Sequence, residues 1–156
     1  MSDGLSYLST FIRTSYDMEH LWTAPYAAFS GDCPIYRTYK TKDDKWVAVG
    51  ALEPKFNTSL FRVLGMDTTM NDVYTDPAGI AIKMEEIFRT KTRDEWIKSF
   101  SGQNACVTPV LELGEAVHFE HNLERNSFIE ENKLFYPAPA PKMYSLEEYT
   151  KLNSKL

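Results

Sequence analysis

Apolar residues change their spacing several times along the chain, and each change marks an element. Leu5, Leu8, Phe11 and Ile12 recur at helical spacing behind Ser2 and Asp3, which predicts a capped amphipathic helix over 5–16. A polar, irregular stretch follows through Trp22, Pro25 and Gly31. Residues 35–41 and 46–52 are rich in β-formers and flank Lys42, Asp43, Asp44 and Lys45, which reads as a hairpin. The run from Trp46 to Leu52 is apolar at odd and even positions alike. That predicts a strand covered on both faces.

Helical spacing then returns. Glu53-Pro54 precedes Phe56, Leu60 and Leu64 at i, i+4 and i+8, and Gly65 closes the run. Proline suits the first helical position and glycine the residue past the end. Asp76-Pro77 opens a second helix with Ile80, Met84, Ile87 and Phe88 inward. Thr92 and Glu95 have capping-box spacing and start a third, with Trp96 and Phe100 inward. Residues 105–111 form a short strand whose Pro109 places it at an edge or strand end. A short helix over 113–120 follows. A proline-rich run from Pro137 to Pro141 then leads to a second capping box, Ser145 with Glu148, and a last helix over 146–152. The sum is an α+β fold with about three strands.

Composition narrows the classes. The 156 residues suit one domain of ordinary size. An apolar fraction of 43% with 25% charged residues excludes a disordered, collagenous or coiled-coil chain. Aromatics reach 13%, enough for a rich core or a large surface meant to be covered. The net charge is −5 and the basic residues are scattered, which argues against nucleic acid as a partner. No apolar run approaches the roughly 18 residues of a membrane span, so none is expected. The first residues lack the basic and apolar regions of a secretory signal. No strand leads into GxGxxG or GxxxxGK, so neither common nucleotide cradle is present. Cys33 and Cys106 lack CxxC spacing and read as reduced, partly buried thiols of an intracellular protein.

Three groups of residues carry candidate chemistry. Glu53 opens a helix and could simply complement its dipole. Glutamate is not a favoured N-cap, however, so a role in a site stays open beside that reading. His118 and His121 are three apart, but no further ligands at zinc spacing accompany them, so no metal is expected. The plainer reading is a helix-end polar cluster in which His121, Asn122 and Arg125 fix the loop. The last three residues, Ser154, Lys155 and Leu156, spell the peroxisomal import address. A receptor reads that tripeptide through its carboxylate and its small and basic side chains.

Several segments also look familiar in combination. They are MSDGLSYLSTF, CPIYRTYKTKDDKWVAVGALEPKF, ACVTPVLELGEAVHFEHNLERNSF and PAPAP. The most specific parts are Val49 to Phe56, Cys106 to Leu111, and His121-Asn122 followed by Arg125. Over about residues 1–141 the chain resembles the α-methylacyl-CoA racemases of the class III CoA-transferase family. Members of that family are much longer. A large doubly wound α/β domain comes first, with the CoA-binding loops and the catalytic Asp or His/Asp pair. A smaller domain follows, and two subunits interlock with the active site between the large domain of one and the small domain of the other.

The resemblance covers only the small domain and the helix leading into it. It implies a linker helix over 1–20, the small domain over 21–141, and a C-terminal helix with a targeting tail over 142–156. The large domain would be absent, and Met1 would match an internal position of the longer proteins. The implied reaction interconverts (R)- and (S)-2-methylacyl-CoA by removing and returning the α-proton. Glu53 matches the family's small-domain site glutamate. No separate cofactor is implied, because CoA is part of the thioester. Implied partners are the acyl-CoA substrate, the peroxisomal import receptor, and a second subunit or a full-length relative. The expected location is the peroxisomal matrix, with cytosol or mitochondrion as alternatives. The chain alone would be inactive. It could instead be a non-catalytic module docking on a full-length racemase, or a CoA transferase of the same family.

Overall fold

The computed structural model describes residues 2–141 and 143–153. The chain divides into two units, Met1–Val110 and Leu111–Leu156.

The first unit opens with α1 (Ser2–Leu8) and α2 (Thr10–Ser15), followed by the single turn α3 (Glu19–Trp22). The expected continuous helix is thus interrupted at Ser9, and Ser2-Asp3 lies inside α1 instead of capping it. The hydroxyls of Ser9 and Thr10 donate to the carbonyls of Ser6 and Tyr7 at 2.8 and 2.6 Å. Such back-bonding competes with the helical ladder. The hairpin forms as expected, with β1 (Tyr36–Lys40) antiparallel to β2 (Trp46–Gly50) and Tyr39 opposite Val47.

Beyond the hairpin come α4 (Pro54–Leu64), α5 (Met70–Thr75), α6 (Pro77–Phe88) and α7 (Arg93–Phe100). Three of these match the sequence pattern. The fourth, α5, was not anticipated: it holds a single buried apolar residue, Val73, and is set by a capping box between Thr69 and Asp72. Gly65 ends α4 in the left-handed region at φ 68°, where glycine carries no Cβ penalty. β3 (Val107–Val110) then pairs with β2, giving the order β1-β2-β3. Pro109 therefore stands on an edge strand, as its missing N–H requires.

One face of this sheet builds the core. Tyr39, Val47 and Val49 pack with Leu60 and Phe61 of α4, Met84 and Phe88 of α6, and Trp96 of α7. The Tyr39 and Phe88 rings stack at 4.8 Å, and Phe88 meets Trp96 edge-on at 5.2 Å. Both buried polar ends are satisfied. The Tyr39 hydroxyl donates to the Pro34 carbonyl at 2.6 Å, and Trp96 Nε1 donates to the Phe88 carbonyl at 2.8 Å. Burial pushes the Tyr39 hydroxyl far above the ordinary phenol range.

The hairpin turn is tied to the start of α7. Asp43 Oδ1 accepts from Thr41 Oγ1 at 2.6 Å and from the Arg93 amide at 3.0 Å, and the Lys42 amide donates to the Lys91 carbonyl at 2.9 Å.

The other sheet face corrects the expectation for β2. Val47 and Val49 are buried, but Trp46 is 43% exposed and Ala48 and Gly50 are half-buried. Their neighbours Tyr36, Thr38, Thr108 and Val110 are exposed as well. The strand is covered on one side only, because the helices of this unit pack on the Val47–Val49 side.

The second unit holds α8 (Leu113–Ala116), α9 (Glu120–Glu124), the hairpin β4 (Phe128–Glu131) with β5 (Leu134–Pro137), and α10 (Leu146–Asn153). The single helix expected over 113–120 is two short ones. The β4–β5 hairpin raises the strand number from three to five. Its two turn residues, Asn132 and Lys133, both have positive φ, the geometry that favours tight hairpins. The second capping box is present: the Ser145 hydroxyl and amide both donate to Glu148 Oε2 at 2.8 Å. Among the described residues no helix is long and apolar enough to cross a membrane.

Candidate functional site

Glu53 sits where β2 turns into α4. The Ala51 amide donates to the Ile35 carbonyl at 2.8 Å, which holds the turn against the start of β1. Glu53 itself is extended, and its carbonyl accepts from the amides of Phe56 and Asn57 at 2.9 and 3.1 Å. Pro54 at the first helical position has no N–H to leave unpaired. The backbone of Glu53 is therefore fixed on both sides.

Its side chain is not committed to the helix. The carboxylate makes no capping hydrogen bond, is 64% exposed, and lies 3.3 Å from Lys55 Nζ. An exposed ion pair of this kind contributes little stability. The Lys55 ammonium also lies 4.5 Å from the centroid of the Phe56 ring. A carboxylate held by rigid backbone and left open to solvent can accept or return a proton from a group placed against it.

Gly50, three residues before Glu53, belongs to the open sheet face. A shallow depression of about 370 Å³ lies there, lined by Tyr36, Thr38, Ala48, Gly50, Cys106 and Thr108. Gly50 donates its amide to the Cys106 carbonyl at 2.9 Å. Cys106 was expected to be partly buried but is exposed, whereas Cys33 is buried and burial pushes its thiol up. Tyr36 continues the apolar surface away from the sheet. Its ring meets Phe29 at 5.3 Å, Phe29 meets Trp22 at 5.1 Å, and Trp22 meets Phe11 of α2 at 5.8 Å. The sequence signal for this surface is Trp46 and Ala48 at alternate positions of β2, a strand whose pattern predicts cover on both faces.

The histidine region lies in the second unit. His118 lies in the turn after α8, edge-on to Phe135 at 5.3 Å. Asn122 Nδ2 donates to the Ala116 carbonyl at 2.8 Å, and the Arg125 amide donates to the His121 carbonyl at 3.2 Å. Among the described residues no group of three His, Cys, Asp or Glu could hold a metal. Ser154, Lys155 and Leu156 lie outside the described residues.

The sequence matches the model of CoA-transferase family III over residues 6–147. The chain belongs to CoA-transferase family III. A CaiB/baiF CoA-transferase family protein of Caenorhabditis elegans is 46% identical over 155 residues, which cover 99% of this chain and 45% of that protein. The human alpha-methylacyl-CoA racemase is 41% identical over 147 residues, covering 90% of this chain and 38% of the racemase. The mouse racemase is 40% identical over the same length. The chain thus spans less than half the length of these relatives. A solved Mycobacterium tuberculosis structure, Rv3272, shares the fold with a TM-score of 0.59 at 15% identity, over 86% of this chain and 36% of its own. The α+β arrangement with its three-stranded antiparallel sheet is accordingly the small domain of a family III fold.

Proposed function

We propose that this chain is an α-methylacyl-CoA racemase-type protein. It supplies Glu53 to a site that interconverts (R)- and (S)-2-methylacyl-CoA in peroxisomal branched-chain fatty acid metabolism. The observation that carries this reading is the Glu53 carboxylate, whose backbone is held in the turn between β2 and α4 and which is not consumed by helix capping. The names of the human and mouse relatives support the reaction class.

Racemisation next to a thioester removes an α-proton, passes through an enolate and returns a proton to the opposite face. Two acid/base groups must flank the carbon. By the family resemblance a His/Asp pair of the large domain provides most of this, and Glu53 adds a small-domain carboxylate to the site. That pair and the CoA contacts belong to the portion of the longer relatives that this sequence does not span. The depression beside Gly50 suits an acyl chain, since each buried methylene contributes about 0.8 kcal/mol. CoA enters as part of the substrate. The Ser154-Lys155-Leu156 terminus supports import into the peroxisomal matrix.

α-Proton exchange of a 2-methylacyl-CoA in deuterated water tests the reading. The purified chain should give no exchange above background. Exchange by the chain alone, lost in Glu53→Gln, would overturn the assignment of the main acid/base pair to the portion of the relatives that this sequence does not span. A chimera carrying residues 6–147 in place of the matching part of the human racemase should be active. Glu53→Gln in that chimera should lower exchange about a hundredfold, and an unchanged rate removes Glu53 from the site.

A further inference from the structure

We propose that the free edge of β1 docks an extended acidic peptide, which adds as a further strand and sets its carboxylates against Arg37, Lys40 and Arg89. Neither Glu53 nor an acyl-CoA takes part, so the racemase-type reading is not involved.

The register of the hairpin decides which backbone groups are free. The Ala51 amide donates to the Ile35 carbonyl at 2.8 Å, and the Thr41 amide to the Lys45 carbonyl at 2.9 Å. Hydrogen-bonded pairs alternate along an antiparallel ladder, so Ile35, Arg37, Tyr39 and Thr41 turn their backbone groups toward β2. Tyr36, Thr38 and Lys40 turn theirs the other way. β1 ends the order β1-β2-β3, and among the described residues no strand lies beyond it. The Tyr36 amide is taken by the Cys33 carbonyl at 3.0 Å. The amides and carbonyls of Thr38 and Lys40 have no backbone partner among the described residues. Such a row is a template for one more strand.

Charge selects the occupant. Residues 37–40 of β1 line a groove of about 200 Å³, with Trp46 of β2 and Glu85 and Arg89 of α6. Arg37 Nη2 lies 3.0 Å from Glu85 Oε1, and the Arg37 guanidinium sits 5.2 Å from the Tyr39 ring centroid. Arg37 Nε is buried without a hydrogen-bond acceptor. Lys40 Nζ and Arg89 Nη1 share one oxygen, Asp44 Oδ1, at 2.7 and 3.1 Å. Three cations therefore meet two carboxylates here, in a chain whose net charge is −5. A buried donor without a partner is costly, and a carboxylate brought by a ligand relieves it. Residues two apart in an added strand share a face, so alternate acidic positions present a row of carboxylates to the groove. A second copy paired edge to edge would bring the same cations against one another, and like charges across strands destabilise the pairing.

Fluorescence polarisation with the full chain and a labelled peptide of alternating Glu and Thr tests the site. The peptide should bind saturably and weaken about tenfold between about 0.05 and 0.5 M salt, because salt screens exposed charges. A Lys–Thr peptide should not bind. A Glu–Pro peptide carries the same charge but lacks alternate amides, and should bind at least about tenfold more weakly. Arg37→Gln and Arg89→Gln should each weaken the Glu–Thr peptide about tenfold, with melting temperatures close to the wild type. Thr38→Pro removes an outward amide, and should abolish binding while the circular dichroism is unchanged. No saturable binding up to about 1 mM peptide overturns the proposal. Equal binding of the Glu–Pro peptide reduces the edge to a charged patch and overturns strand addition. Undiminished binding by all three variants, or loss only in variants that unfold, overturns the placement at this edge. A homodimer seen by light scattering and lost in Thr38→Pro overturns the choice of occupant.

Discussion

Val47 and Val49 point to one side of β2, and Trp46 and Ala48 point to the other. The first pair is sealed beneath α4, α6 and α7, with Trp96 of α7 only 2% exposed. The second pair faces outward beside Tyr36, Thr108 and Val110. Both sides are apolar, so hydropathy alone does not separate them. What separates them is cover: this unit has helices enough for one side. The open side therefore presents apolar residues such as Trp46, Tyr36 and Val110 outside the core.

The covered side can be broken most severely. Phe88→Ala removes the ring between Tyr39 and Trp96 and should cost about 3–5 kcal/mol in denaturant unfolding. A loss below about 1 kcal/mol would show that the Tyr39–Phe88–Trp96 stack is not the centre of the fold.

The turn that carries both faces gives a smaller, pH-dependent effect. The Thr41 hydroxyl, and then the Arg93 amide, hold the Asp43 carboxyl below the usual carboxylate range. Its folded pKa lies below its unfolded one, so its contribution is present above about pH 4 and lost as the pH falls through the folded value. Asp43→Ala should cost about 1 kcal/mol at pH 7 and flatten the acid side of the melting-temperature profile. An equal acid-side slope in the variant would remove Asp43 from the account.

The smallest effect is expected at the candidate site. Glu53→Gln should change stability by less than about 0.5 kcal/mol, since the carboxylate caps nothing and its ion pair with Lys55 is exposed. A larger loss would return Glu53 to a structural role.

Much of the covered side was legible in the sequence. Leu60 and Leu64 of α4, Met84 and Phe88 of α6, and Trp96 of α7 were read from helical spacing, and all are buried. The caps at Asp76, Thr92 and Ser145 were read from residue type and spacing. The β4–β5 hairpin was not legible. Its turn is Asn132-Lys133 instead of Asn-Gly, and Glu130, Glu131 and Lys133 mask the strand pattern. The open face was misread because an apolar position states only a preference for leaving water. It does not name what provides the cover. Glu53 was found from the resemblance, and the structure adds that its side chain is left out of the cap.

Adjacent substitutions in β2 test the two-sided account most directly. Val49→Asp and Ala48→Asp place the same charge one residue apart on opposite faces. Urea unfolding should show Val49→Asp losing at least about 3 kcal/mol, because a carboxylate cannot be buried there without a partner. Ala48→Asp should lose no more than about 1 kcal/mol, the span of strand propensity. Equal losses would contradict the claim that one face is core and the other is open.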